Sequence, residues 1–238
     1  MKTSIKLNKY QIPGLLTGLV AAIMLLSSCS KDDNEVIIQG EAKVMIVNAA
    51  SGSQPQDFYL DNTKVNTEAV AYSQSTSYIT TGAGNERKAE FRNSGSASAN
   101  FSAYVNLSPN ENYTFFYTGK ADGSGTSSAV FKDEKTASSA NKAKVRFVNL
   151  AEGLASANLL VTGGIVFASN VMFGNASDFI EVDPGTFVLQ TALSTSTSTS
   201  VNLGSFTLQA GKIYTIYTSG SLTGSAQTAI SAKLITHN

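Results

Sequence analysis

Cys29 is the single thiol of this 238-residue chain, His237 is its single imidazole, and there is no Trp. One Cys cannot build an internal disulfide or a multi-cysteine zinc site. One His, next to last in the chain, is a poor general base, because chain ends fray; its position predicts an exposed tail residue. Serines are plentiful, but none sits in a Gly-x-Ser-x-Gly turn that opens a helix. Paired carboxylates can hydrolyse glycosides, and two pairs stand at strand-like spacing: Asp57 with Asp61, and Glu181 with Asp183. Each pair is expected on one face of a strand or turn, and a solvated surface explains both better than chemistry does. For a hard cation the local clusters are Asp32-Asp33-Asn34-Glu35 and Asp122-Gly123-Ser124. Neither has the spacing of an EF-hand loop. The expectation is a protein without enzymatic activity: no catalytic residue, no metal ligand and no cofactor.

The charge balance narrows the partners. Lysine plus arginine and aspartate plus glutamate each number 17, and charged residues make up only 14% of the chain. Nucleic acid needs a basic surface to neutralise phosphates and is not expected as a partner. A glycan or another surface protein is. Sugars stack on aromatic rings, and without Trp the candidates are Tyr and Phe. Phe116 and Tyr217 lie opposite the apolar faces that carry Phe115 and Ile216, so they are the best candidates to point outward and bind a ligand; packing between the copies or against a second sheet face explains them better, because aromatics mostly bury.

The N-terminus carries its own chemistry. Lys2, Lys6 and Lys9 precede an apolar run over residues 14–26, shorter than the ~20 residues a spanning helix needs. Its length suits the core of a secretory signal. The run ends in Leu26-Ser27-Ser28-Cys29, which resembles a bacterial lipobox. The resemblance implies cleavage before Cys29, a diacylglyceryl group on its sulfur and an acylated amine. Several acyl chains hold a protein stably on a membrane where one would not. Residues 1–28 are then the signal peptide and 29–41 a lipidated tether. Loss of the three lysines leaves 14 basic against 17 acidic residues. Directly after the lipidation site, Lys31-Asp32-Asp33 resembles the acidic export tag of Bacteroidetes surface lipoproteins. It implies an outer-membrane protein facing the cell exterior.

The elements that must position any site come in two copies. Ala42-Lys43-Val44-Met45-Ile46-Val47-Asn48 matches Ala143-Lys144-Val145-Arg146-Phe147-Val148-Asn149 at an offset of 101. The same offset aligns Tyr78-Ile79 with Phe179-Ile180 and Tyr113-Thr114-Phe115 with Tyr214-Thr215-Ile216. A period this long is a whole domain, not a solenoid unit. Period-two alternation, as in Tyr113, Phe115 and Tyr117, reads as strand. Asn48 and Asn149 are expected to end their strands by bonding the backbone of the following turn. Pro109-Asn110 and Ala210-Gly211 are expected to punctuate the last hairpin of each copy, and Asp183-Pro184-Gly185 reads as a type II turn. The expected fold is all-β: two tandem immunoglobulin- or transthyretin-like antiparallel sandwiches, at 42–136 and 143–238, joined by a small polar linker at 137–142. Each is expected to bury its own core and to fold alone.

The second copy resembles a bacterial family, domain of unknown function 4397. The resemblance rests on residues 144–149, Phe173-Gly174, residues 178–182, Pro184-Gly185-Thr186 and the stretch Leu208-Gln209-Ala210-Gly211-Lys212-Ile213-Tyr214-Thr215. The first copy is more divergent, with Asn110-Glu111 where the second has Gly211-Lys212. These motifs are structural, so the resemblance implies architecture and no activity.

Overall fold

The computed structural model describes residues 40–119, 125–136 and 139–237, apart from the side chains of 197–199. The signal segment, Cys29, Lys31, Asp32 and Asp33 lie outside the described residues, as does Asp122-Gly123-Ser124. The described chain is all strand and loop. The first half holds β1 (Glu41–Asn48), β2 (Gln56–Leu60), β3 (Thr63–Lys64), β4 (Ile79–Gly82), β5 (Gly84–Asn93), β6 (Ala99–Leu107), β7 (Asn112–Thr118) and β8 (Ser127–Lys132). The second holds β9 (Ala143–Asn149), β10 (Ser156–Val161), β11 (Val166–Met172), β12 (Ile180–Val182), β13 (Gly185–Leu193), β14 (Ser196–Leu208), β15 (Ile213–Ser219) and β16 (Ser231–His237).

Each half is a sandwich of two four-stranded sheets. In the first, the sheet β4-β1-β7-β8 packs on β3-β2-β5-β6; in the second, β12-β9-β15-β16 packs on β11-β10-β13-β14. The sheets are not purely antiparallel: β1 runs parallel to β7, and β9 runs parallel to β15. Each parallel pair joins strands far apart in sequence, which no local turn signal reveals.

The repeat is visible in matched hydrogen bonds. Asn48 Nδ2 donates to the Val70 carbonyl and Asn149 Nδ2 to that of Val171, at 3.1 and 3.0 Å. The side-chain oxygens of Asn48 and Asn149 accept from Ala50 and Ala151 N–H. Both asparagines are fully buried strand ends, as the need to satisfy turn backbone groups in a dry site demands. Tyr113 and Tyr214 each accept, at 3.0 Å, the N–H of a residue five positions back, Ser108 and Gln209. This pins the corner where the chain crosses between sheets, as in the tyrosine corner of immunoglobulin-like folds. Asn110 and Gly211 both have positive φ, 61° and 75°. They turn corners between sheets and not hairpins within one. Asp183-Pro184 likewise lies where the chain leaves one sheet for the other, between β12 and β13, and Gly185, with φ 158°, lacks the φ of roughly +80° that a type II turn requires, so that reading is corrected.

In the last strand the offset changes. Tyr113 pairs with Lys132, but Tyr214 pairs with Thr236. Asp133, whose N–H bonds the Asn112 carbonyl, and His237, paired with Ile213, therefore hold equivalent places at an offset of 104.

Alternation puts Phe115 and Tyr117 with Phe58 and Phe91 in the first core, and Phe147 and Ile216 with Leu159 and Leu189 in the second. The intervening residues are buried too. Met45, Val47, Phe116 and Ala129 of the first half meet Val148, Leu150, Tyr217 and Ile235 of the second in a third apolar cluster. The two middle sheets thus bury both faces, and the expectation that each half is self-sufficient misses this cluster.

Candidate functional site

Phe116 and Tyr217 were the candidate ligand-facing aromatics, with packing between the copies as the stronger alternative. They instead face each other: both are fully buried, with ring centroids 5.2 Å apart and planes at 65°. Period-two patterning correctly separates them from Phe115 and Ile216. It does not say what covers the second face, and here the other repeat does. The ligand-contact reading of this pair is overturned.

Beside them lies a polar constellation that sequence reasoning missed. Arg146 on β9 reaches back to the first half: its Nη2 donates to Asp133 Oδ1 at 2.6 Å and its Nη1 to the Lys132 carbonyl at 2.9 Å. Both partners of the ion pair are buried, with side chains 3% and 0% exposed. The guanidinium also lies over the rings of Phe179 and Phe131, at 4.7 and 5.5 Å. Thr114 and Tyr78 donate to Asp133 Oδ2, each at 2.7 Å. Arg146 Nε donates to Thr215 Oγ1 at 3.1 Å, and that hydroxyl sits 2.7 Å from His237 Nε2. His237 Nδ1 is 2.7 Å from the Tyr78 oxygen. His237 is 4% exposed, so the exposed-tail expectation is corrected: β16 pairs with β15 down to His237 itself and carries it inside.

One set of proton positions satisfies every member. Tyr78 spends its proton on Asp133, so its oxygen accepts from His237 Nδ1–H. His237 Nε2 then accepts from Thr215, whose oxygen accepts from Arg146. The circuit closes at Asp133 with the imidazole neutral. Burial pushes His237 down to about 4, with Asp133 opposing and Arg146 adding to the depression. Burial, with Asp133 second, raises the Tyr78 phenol far above its ordinary value, so it stays protonated. Burial lowers Arg146, opposed by Asp133; a guanidinium in such a pair stays charged.

The ring's residues come in matched places: Thr114 with Thr215, Tyr78 with Phe179, Met45 with Arg146, and Asp133 with His237. The first three pairs were legible at an offset of 101; the last was hidden by the three-residue shift in β16. Reading the ends of β8 and β16 against each other was the signal that could have found it.

The proposed carboxylate pairs do not assemble. Asp57 is ion-paired to Lys64 at 2.8 Å. Asp61 bonds Arg87 and the Lys88 N–H from the two-residue turn it forms with Asn62. Both turn residues have positive φ, 49° and 64°, as the tight β2–β3 hairpin requires. Glu181 accepts from Ser139 N–H, and Asp183 is an exposed partner of Lys142. Among the described residues no three metal-binding side chains gather. A cleft of about 500 Å³ opens over the ring where the halves meet, its lining including Lys43, Glu111, Glu134, Lys135, Lys212 and His237.

Two sandwiches joined by a shared buried face define a tandem all-β protein whose polar centre is enclosed. A family model described as a domain of unknown function, DUF4397, matches residues 42–159, which is consistent with a DUF4397-like domain there. The match covers the first repeat and continues through β9 into β10, whereas the sequence motifs had placed the stronger resemblance in the second copy. No curated protein matches the chain.

Proposed function

We propose that this chain is a lipid-anchored, non-enzymatic protein of the outer membrane, facing the cell exterior, with a binding, adhesion or structural role. The observation that carries the reading is where the reactive side chains lie. Asp133, Arg146 and His237 are buried between two sheets and spent on one another and on neighbouring hydroxyls, which is how a rigid body is held together. The first described strand begins at Glu41, twelve residues after Cys29, which leaves a tether between the proposed anchor and the sandwich. Cys29→Ala is expected to leave uncleaved precursor and to abolish labelling by a palmitate analogue in the detergent phase. Unchanged labelling would refute the anchor. Replacing Lys31, Asp32 and Asp33 with Ala should remove protease accessibility on intact cells at constant total protein; persistent accessibility would refute the export reading.

A second reading, a glycan-binding accessory lipoprotein of a polysaccharide uptake system, is favoured by one feature. Tyr104 on β6 is 71% exposed and sits across from Lys88 on the open face of its sheet, which also carries Tyr59 under Arg92. A glycan array probed with the chain and with Tyr104→Ala separates the readings: signal lost in the variant supports the second, and no signal from either supports the first.

A further inference from the structure

We infer that His237 is a proton-operated latch that locks the two sandwiches together when neutral and releases them when charged. The inference starts from connectivity. His237 belongs to the last strand of the second half, and its Nδ1 is held by Tyr78 of the first, which is held in turn by Asp133 of the first. The imidazole is the element of the ring whose charge changes nearest neutral pH.

Protonation breaks the circuit at a definite bond. A cationic imidazole carries N–H on both nitrogens, so Nε2 can no longer accept from Thr215. It would instead donate to an oxygen that already accepts from Arg146 Nε. The Thr215 proton then loses its acceptor in a dry site, where an unmet donor is costly. A second cation also enters a pocket that already holds Arg146.

The charged surroundings offer little relief. Asp133 is 3.9 Å from Nδ1, but its two oxygens already accept from Arg146, Thr114 and Tyr78. Thr215 on β15 and the Phe179 ring, 6.4 Å away, bring no negative charge. On the cleft side Glu111 is held by Lys132 and Lys135, and Glu134 by Lys144. Lys43 and Lys212 add positive charge, and Glu41 sits exposed at the mouth. The cleft nevertheless reaches His237, which gives protons a route in.

The sign follows from linkage. The folded-state value is depressed, to about 4 from an ordinary 6.5. The contribution to closure is therefore fully present above 6.5 and is lost as pH falls toward 4. If the opened form has an ordinary histidine, opening should rise about 30-fold between pH 7.5 and pH 5.

The chain supplies its own probes. His237 gives the single imidazole signal in a nitrogen-resolved NMR titration of the whole chain, kept lipid-free by Cys29→Ser. Met45 lies in the shared face and is 5% exposed, while Met172 is 62% exposed and serves as an internal reference. Peroxide converts an accessible Met to its sulfoxide, so the Met45 rate relative to Met172 reports separation of the halves. The expected result is an Nδ1–H tautomer at pH 7.5, titration near 4, and a roughly 30-fold rise in relative Met45 oxidation by pH 5, with β-type circular dichroism retained. His237→Gln should abolish the pH dependence. Tyr78→Phe should speed Met45 oxidation already at pH 7.5. An Nε2–H tautomer, titration near 6.5, a flat Met45 rate, or an equal rise in His237→Gln would each overturn the latch.

Discussion

Asp133→Ala is expected to destabilise the whole chain by about 3–5 kcal/mol, the usual consequence of stranding one member of a buried ion pair. The loss comes less from the missing attraction than from what remains. Arg146 would keep its charge in a site where its side chain is 3% exposed, and the Thr114 and Tyr78 hydroxyls would lose their acceptor. Replacing both charged partners should cost less, because no buried charge is left unpaired, although Thr114 and Tyr78 still lose their acceptor. The repeat itself names a replacement, since Met45 stands where Arg146 stands in the other copy. Urea denaturation of Asp133→Ala, Arg146→Met and the double variant Asp133→Ala/Arg146→Met closes the cycle. The account predicts that the double variant is more stable than Asp133→Ala; a double variant as unstable as the sum of the singles would contradict it.

Phe116→Ala is expected to cost about 3–5 kcal/mol, as Phe truncations in cores do, and the cost should be felt beyond its own half. Phe116 is fully buried against Tyr217 and also approaches Phe131, at 6.0 Å. The void would lie between the sandwiches. Phe147→Ala serves as the comparison, because Phe147 belongs to the core inside the second half. Proton NMR signals of both halves should melt earlier together in Phe116→Ala. Early melting confined to first-half signals would show that the shared face does not couple the halves.

Legibility in the sequence followed the range of the physics. Alternation in Tyr113, Phe115 and Tyr117 reports the local pleat, so strand and inward face were readable from a few residues. The paired asparagines were readable because a buried amide at a strand end serves its own turn. The offset of 101 exposed the architecture, since two copies of one pattern demand two copies of one fold. What escaped was whatever depends on a second surface. Phe116 and Tyr217 were recognised as equivalent and as opposite the core, and packing between the copies was the better of their two readings; which residues of the other copy would cover them was not legible. The Asp133–Arg146–His237 ring escaped for a further reason. Asp133 directly follows β8, while Arg146 and His237 lie on β9 and β16, and the register of β16 differs by three residues from that of β8, so the equivalence of Asp133 and His237 is invisible at a fixed offset. His237 also looked like a fraying tail, when the antiparallel partner β15 holds the strand to its last described residue.

Differential scanning calorimetry of the lipid-free chain at pH 7.5 tests most directly whether the two repeats are one body. A face that buries Phe116 against Tyr217 and encloses an ion pair should make unfolding all-or-none, with equal calorimetric and van't Hoff enthalpies. The account predicts a single transition of that kind, moving as a whole in Asp133→Ala. Two resolved transitions, only one of them displaced by that substitution, would contradict it.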